Sequence, residues 1–104
     1  MIRERLHFTV RDLAGWNDCL GLVHEIDEIQ AAAGRPTSTV WTQVAGVFNE
    51  IIIEVDYPDL ATYEQVTDAT MSDPQIIKLS GRFAAITVEG KGFNELFTSA
   101  DPVG

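Results

Sequence analysis

Hydrophobic and polar residues alternate over residues 2–10 of the chain, and Glu4 is the one break in the alternation. A period of two residues is that of a β-strand whose two faces have different surroundings. The pattern predicts a first strand over residues 2–10. Its hydrophobic side carries Ile2, Leu6, Phe8 and Val10.

The following segment changes to a helical spacing. Apolar residues recur every three or four positions over residues 13–33, which is the period of one face of a helix. Asp12 stands where an N-cap belongs, and Gly34 and Pro36 are stop signals. We therefore expect a first helix over about residues 13–33.

Two extended segments come next and predict a hairpin. Residues 37–45 are rich in Thr and Val, residues 49–57 contain three consecutive isoleucines, and Gly46 lies between the two segments. The alternation places Ile51 and Ile53 on the same side of the sheet as the hydrophobic side of the first strand.

A second helix is predicted directly after Pro58, with Asp59 as its cap. Residues 72–75 contain a second cap candidate and a proline suited to a first helical turn, so we expect this helix to be broken in two. A last strand is predicted over residues 86–97, with a bulge or bend at Gly90 and Gly92.

The resulting order, βαββαβ, predicts an α+β fold of the ferredoxin-like type in a single domain over residues 1–104. We expect a four-stranded antiparallel sheet with strand order 4-1-3-2 and the helices on one face. The other face mixes charges with hydrophobic residues. It carries Arg5, His7, Thr9, Glu50, Ile52 and Glu54.

This mixed face predicts a homodimer, because a solvated face does not need Ile52 or an aromatic residue such as Trp41. Packing of two sheets face to face would bury the charges, which then need partners across strands or subunits. Arg5 with Glu50 or Glu54 is such a pair.

Composition narrows the possible partners. The net charge of −9 repels nucleic acid and anionic lipid, and no apolar run approaches the roughly 20 residues that cross a bilayer. The N-terminus lacks the apolar segment of a secretory signal, so we expect a cytoplasmic protein. Cys19 has no partner for an internal disulfide and is interpreted as a small buried hydrophobic residue.

Asp27 is the main candidate for chemistry, because it falls on the apolar side of the first helix. His24 lies at the edge of the same stripe and could form an acid/base pair with it, while Tyr63 offers an inward hydroxyl. The alternative is that Asp27 meets water beyond the sheet edge. For His7 we expect a structural hydrogen bond to a carboxylate.

A ligand pocket is expected between helices and sheet, although ordinary core packing would account for the same aromatic residues. Arg82 could bind an acidic head group or simply complement the end of its helix. No metal site and no cofactor are predicted. The candidate pocket residues are Phe8, Trp16, Trp41, Tyr63, Phe83, Arg82, Phe93 and Phe97.

Several residues in the central part of the chain carry a family resemblance. They are Trp41, Gly46, Asn49, Tyr57, Asp59, Leu60 and Glu64, with the step from Asp73 to Pro74. With these residues the chain resembles the dimeric α+β-barrel superfamily, and within it the NIPSNAP-like branch. The resemblance implies two subunits joined through their sheets, each with its own pocket. Haem-degrading relatives would be expected to place a histidine on the second helix, and residues 60–83 contain none.

Three functions remain open. The first is binding of an apolar small molecule, either an aromatic compound or a long acyl chain. The second is cofactor-independent monooxygenase or isomerase activity on an apolar or polyketide-like substrate, and the third is a non-catalytic structural dimer. The resemblance does not choose among them, because one fold supports many activities.

Overall fold

The structure, a computed structural model, describes residues 1–43, 45–46 and 48–100. The elements are β1 (Ile2–Thr9), α1 (Ala14–Ala32), β2 (Thr39–Thr42), β3 (Glu50–Tyr57), α2 (Leu60–Met71), α3 (Pro74–Ala85) and β4 (Phe93–Thr98).

Within these residues the strands form one antiparallel sheet in the order β2-β3-β1-β4. This confirms the predicted ferredoxin-like α+β architecture and the predicted strand order. In the central pair, Leu6 lies opposite Ile53 and His7 lies opposite Ile52. Residues that lie directly opposite each other share a face of the sheet. Leu6 and Ile53 lie on the inner face, toward the helices, and His7 and Ile52 lie on the outer face.

The core lies between the inner face of the sheet, α1 and α3. Its buried members are Val10, Cys19, Leu22, Val23, Ile51 and Phe83. The interpretation of Cys19 as a buried hydrophobic residue is confirmed, and burial raises the pKa of its thiol. By contrast, α2 buries none of its residues.

The caps of the two later helices are confirmed. Asp59 accepts a hydrogen bond from the backbone N–H of Thr62 at 2.7 Å. Asp73 accepts hydrogen bonds from the N–H groups of Gln75 and Ile76, and Pro74 follows it in the first turn of α3. The predicted break between α2 and α3 is therefore a stop and a new start with its own cap.

The predicted N-cap of α1 was wrong by one residue. Leu13 occupies the N-cap position, has helical backbone angles and makes no side-chain capping bond. Asp12 still accepts a hydrogen bond from the N–H of Gly15 at 2.8 Å, so its carboxylate satisfies one helix-end donor from one position further out.

All four strands are shorter than predicted, and β3 begins at Glu50 rather than residue 49. β1 ends at Thr9 rather than residue 10, and β2 spans Thr39–Thr42 rather than residues 37–45, of which Val44 lies outside the described residues. β4 begins at Phe93 rather than residue 86.

The missing first half of β4 has a local cause. The hydroxyl of Thr87 donates to the carbonyl oxygens of Phe83 and Ala84, both at 3.3 Å, and so stays attached to the end of α3. Thr87 makes only an isolated bridge to Val10, and the chain then turns at Gly90, where φ is 79°. The bend expected at Gly90 is thus confirmed, as a turn that precedes the strand.

Candidate functional site

A cavity of about 320 Å³ lies between the inner face of the sheet, α1, α3 and the C-terminal end of α2. A cavity of about 150 Å³ holds a benzene ring, so this one has roughly twice that space. Exposed Met71 and Ser80 at its edge open it to solvent. Its lining residues are Leu6, Phe8, Val23, Ile26, Asp27, Gln30, Pro36, Ser38, Ile53, Val55, Thr70, Met71, Ile76, Ser80 and Phe83.

Asp27 lies in the wall of this cavity. Its two carboxylate oxygens accept hydrogen bonds from Ser38, one from the backbone N–H at 3.0 Å and one from the hydroxyl at 2.8 Å. These bonds tie the middle of α1 to the segment that enters β2. A residue predicted from helical spacing alone therefore lies where a bound molecule could reach it.

A second polar group closes the same wall at the end of α1. The amide of Gln30 donates to the hydroxyl of Thr70 at 2.8 Å, and its oxygen accepts from the guanidinium of Arg35. Arg35 also contacts Asp73 at 3.2 Å. This network joins α1 to α2 and to the start of α3, so it sets the width of the cavity at this end.

The environment of Asp73 lowers its pKa. Burial acts to raise the pKa, but the N–H groups at the start of α3 and the Arg35 guanidinium together outweigh it. Sequence reasoning missed this network. The available signal was the position of Gln30 seven residues after Val23, on the same face of α1.

The three proposed catalytic residues are not brought together. The side chain of His24 is 75% exposed and lies 3.1 Å from Glu28, so it is on the solvent side of α1 and away from the cavity that Asp27 lines. Tyr63 lies elsewhere, and its hydroxyl donates to Glu4. The expected acid/base pair of Asp27 and His24 is therefore not formed: the Asp27 carboxylate is held by Ser38 at the cavity, whereas His24 lies beside Glu28 in solvent.

Of the predicted pocket aromatics, Phe8 and Phe83 line the cavity, and their rings meet edge to face with centroids 4.7 Å apart. Trp16 packs against the core instead of lining the cavity. Arg82 does not line this cavity either. It lies, together with Glu25, on a solvent-exposed groove between α1 and α3.

Trp41, Phe93 and Phe97 belong to the outer face, so their prediction as lining for the inner pocket was wrong. Phe93 pairs with His7 in the sheet and stacks on its ring, with centroids 4.2 Å apart. The guanidinium of Arg5 lies 5.0 Å from the centre of the Phe97 ring. The register between β1 and β4 decides which face these rings occupy.

Charged groups on the outer face are paired within the chain. Arg5 contacts Glu54 at 2.8 Å, which confirms one of the predicted pairs. The Nε2 atom of His7 lies 2.6 Å from Glu95, and its Nδ1 atom lies 3.6 Å from Glu50. The expected contact between His7 and a carboxylate is present.

The break in alternation at Glu4 marks a buried polar cluster that sequence reasoning did not interpret. Glu4 is 8% exposed and accepts hydrogen bonds from Tyr63 and Asn94, both at 3.2 Å. Burial and the nearby Glu4 carboxylate raise the pKa values of Tyr57 and Tyr63. The cluster links β1, β4 and α2, and its residues are separate from those of the cavity.

The described residues contain no group of three or more His, Cys, Asp or Glu residues placed to hold a metal ion. None of their helices combines the length and the hydropathy that a membrane crossing requires.

No family model and no curated protein matches the sequence. Solved structures do match. An uncharacterized NIPSNAP domain protein from Burkholderia xenovorans has a TM-score of 0.76 and 16% identity, with 96% of this chain and 95% of that chain covered. A NIPSNAP family protein from Agrobacterium tumefaciens has a TM-score of 0.75 and 16% identity, with 96% and 93% covered.

A third similar structure is a variant of SnoaB, a cofactor-independent oxygenase from Streptomyces nogalater, with a TM-score of 0.72, 12% identity, and 98% and 95% of the two chains covered. At these identities the likeness concerns the fold. The resemblance to NIPSNAP-like and monooxygenase-like proteins of ferredoxin-like fold, predicted from the sequence, is confirmed at that level.

Proposed function

We propose that this protein binds a hydrophobic small molecule in the cavity between its helices and its sheet. The observation that carries the proposal is the cavity itself, about 320 Å³ with a floor of Leu6, Phe8 and Ile53. Its size is at the lower end of the range for small-molecule pockets, and apolar walls with a few polar groups are typical of such sites. An aromatic compound of two or three fused rings, or an acyl chain of comparable volume, fits these dimensions.

The binding test uses a cavity variant and a matched surface variant. Ile26→Trp places an indole in the cavity. Ser80→Trp places an indole at the opening of the cavity, and because Ser80 is exposed, the larger side chain can be accommodated there. Ile77→Trp is the control, because Ile77 is 55% exposed on the same helix as Ser80 and does not line the cavity.

Calorimetric titration with naphthalene and decanol derivatives should give binding to the wild type and to Ile77→Trp. Binding should be lost in both cavity variants. Equal binding by all four proteins would contradict the proposed site.

We also propose that the working unit is a homodimer joined through the outer sheet faces. Trp41 and Phe93 are 53% and 54% exposed, which is much apolar surface for a face exposed to water. Charges on this face are already paired within the chain, as with Arg5 and Glu54. Burying the face in a dimer would therefore not leave these charges without a partner, which is the costly case.

Sedimentation velocity tests the dimer. Trp41→Glu should dissociate it, whereas Leu13→Glu, at an 83% exposed position outside the sheet, should leave it intact. A wild-type monomer at micromolar concentration would refute the dimer and leave the binding proposal standing.

A second candidate function is cofactor-independent oxygenation or isomerisation, favoured by the position of Asp27 and by the likeness to SnoaB. Asp27 would act as the base that removes a proton from an apolar substrate while the cavity limits access of water. Asp27→Asn should abolish turnover of any substrate found, and an unchanged rate would exclude this role.

A further inference from the structure

Among the described residues that line the cavity, Asp27 is the one with a formal charge. The nearest cation of the adjoining polar network, Arg35, is engaged by Gln30 and Asp73 and is not part of the lining. The cavity wall therefore carries a negative charge without a positive counterpart facing the same space.

The Asp27 carboxylate retains capacity to accept hydrogen bonds. A carboxylate has about four acceptor positions, and Ser38 occupies two of them, one on each oxygen. Asp27 is half-buried, so a group bound to it need not lose all contact with water. Partial exposure favours the ion pair, because removing both charges completely from water would offset much of the free energy of their attraction.

An anionic ligand is disfavoured in this setting. A carboxylate on the ligand would face Asp27 inside a cavity that screens charge less well than water does, and the net charge of −9 on the chain acts in the same direction. A protonated amine has the opposite sign and up to three N–H donors for the free acceptor positions.

We propose that the ligand is an apolar amine, with an aromatic or aliphatic body against Phe8 and Ile53 and its ammonium group hydrogen-bonded to Asp27. This inference rests on the proposed binding function and specifies the ligand class of the same cavity. Free fatty acids and aryl carboxylates of the same size are rejected by the same charge.

The test compares three probes of equal shape, namely 2-naphthylmethylamine, 2-naphthylmethanol and 2-naphthoate, by calorimetric titration at neutral pH. The amine should bind about 10- to 100-fold more tightly than the alcohol, and the carboxylate should bind most weakly. Raising the salt concentration should weaken binding of the amine and leave that of the alcohol nearly unchanged.

Asp27→Asn removes the charge and keeps an oxygen that can accept from Ser38. In this variant the preference for the amine should fall to within about threefold of the alcohol, while the affinity for the alcohol, which reports an intact cavity, is retained. Glu25→Gln is the matched control on the same helix, because Glu25 is exposed and does not line the cavity. It should keep the preference for the amine.

The outcomes separate the two proposals. Absence of binding by all three probes would overturn the binding function itself. Binding of the three with equal affinity, tightest binding of naphthoate, or an amine preference that persists in Asp27→Asn would overturn the charge selection and leave the cavity as a binding site. If Asp27→Asn does not fold, the salt dependence of amine binding to the wild type tests the charge selection instead. An amine affinity that does not change with salt concentration would overturn the charge selection.

Discussion

The substitution Ile51→Ala tests the packing of the inner face of the sheet. Ile51 is fully inaccessible to solvent and lies opposite Phe8 in the central strand pair. The change removes the equivalent of about three methylene groups, or roughly 2.4 kcal/mol of transfer free energy at about 0.8 kcal/mol each. A residual cavity adds to this loss, so we expect the free energy of unfolding to fall by about 3 to 4 kcal/mol.

Such a loss is large for a chain of this length, whose total stability is expected to be roughly 5 to 15 kcal/mol. The assay is urea unfolding followed by circular dichroism. The midpoint should fall at every protein concentration, with an unchanged dependence of the free energy on urea. Ile52→Ala is the matched comparison, because it makes the same chemical change one residue along the strand, on the outer face.

Ile52→Ala should lower stability less, and its effect should depend on protein concentration if the outer face joins two subunits. Measurement at high dilution, where a dimer dissociates, separates the stability lost from packing within the chain from the stability lost from contacts between subunits. Equal losses for both variants under dilute conditions would refute the assignment of faces, because a shift of one residue in strand register exchanges every side chain between the faces.

Two further predictions concern pH. The capping bonds and Arg35 lower the pKa of Asp73 below its ordinary 3.8, so the stability that this carboxylate contributes is complete above that value and is lost as the pH falls through the lower pKa of the folded state. Urea titrations should show the advantage of the wild type over Asp73→Ala shrinking in this acid range, and a constant difference would contradict the reasoning. Burial, reinforced by Glu4, raises the pKa of Tyr57 above 10.0, so stability should decrease as the pH rises from about 10 toward the higher pKa of the folded state. Tyr57→Phe should remove this part of the alkaline loss in thermal unfolding, and an ultraviolet titration showing Tyr57 ionised at its ordinary pKa would refute the assignment.

Much of the fold follows from local patterns. The change from a period of two to a helical period at residue 12 separates β1 from α1. Asp59 and Asp73 mark helix starts by accepting bonds from backbone N–H groups three and two residues further along the chain. The alternation pattern failed where a short-range side-chain contact competes with strand pairing. The start of β4 was misplaced because Thr87 bonds to the end of α3.

The sequence by itself determined the order of elements, the inner face of the central strands and the presence of Asp27 on the apolar side of α1, because each depends on spacing along the chain. Only the tertiary structure decided that Phe93 and Phe97 belong to the outer face and that Asp27 meets Ser38 while His24 faces solvent. These facts depend on strand register and helix rotation, which are set by contacts between residues far apart in sequence.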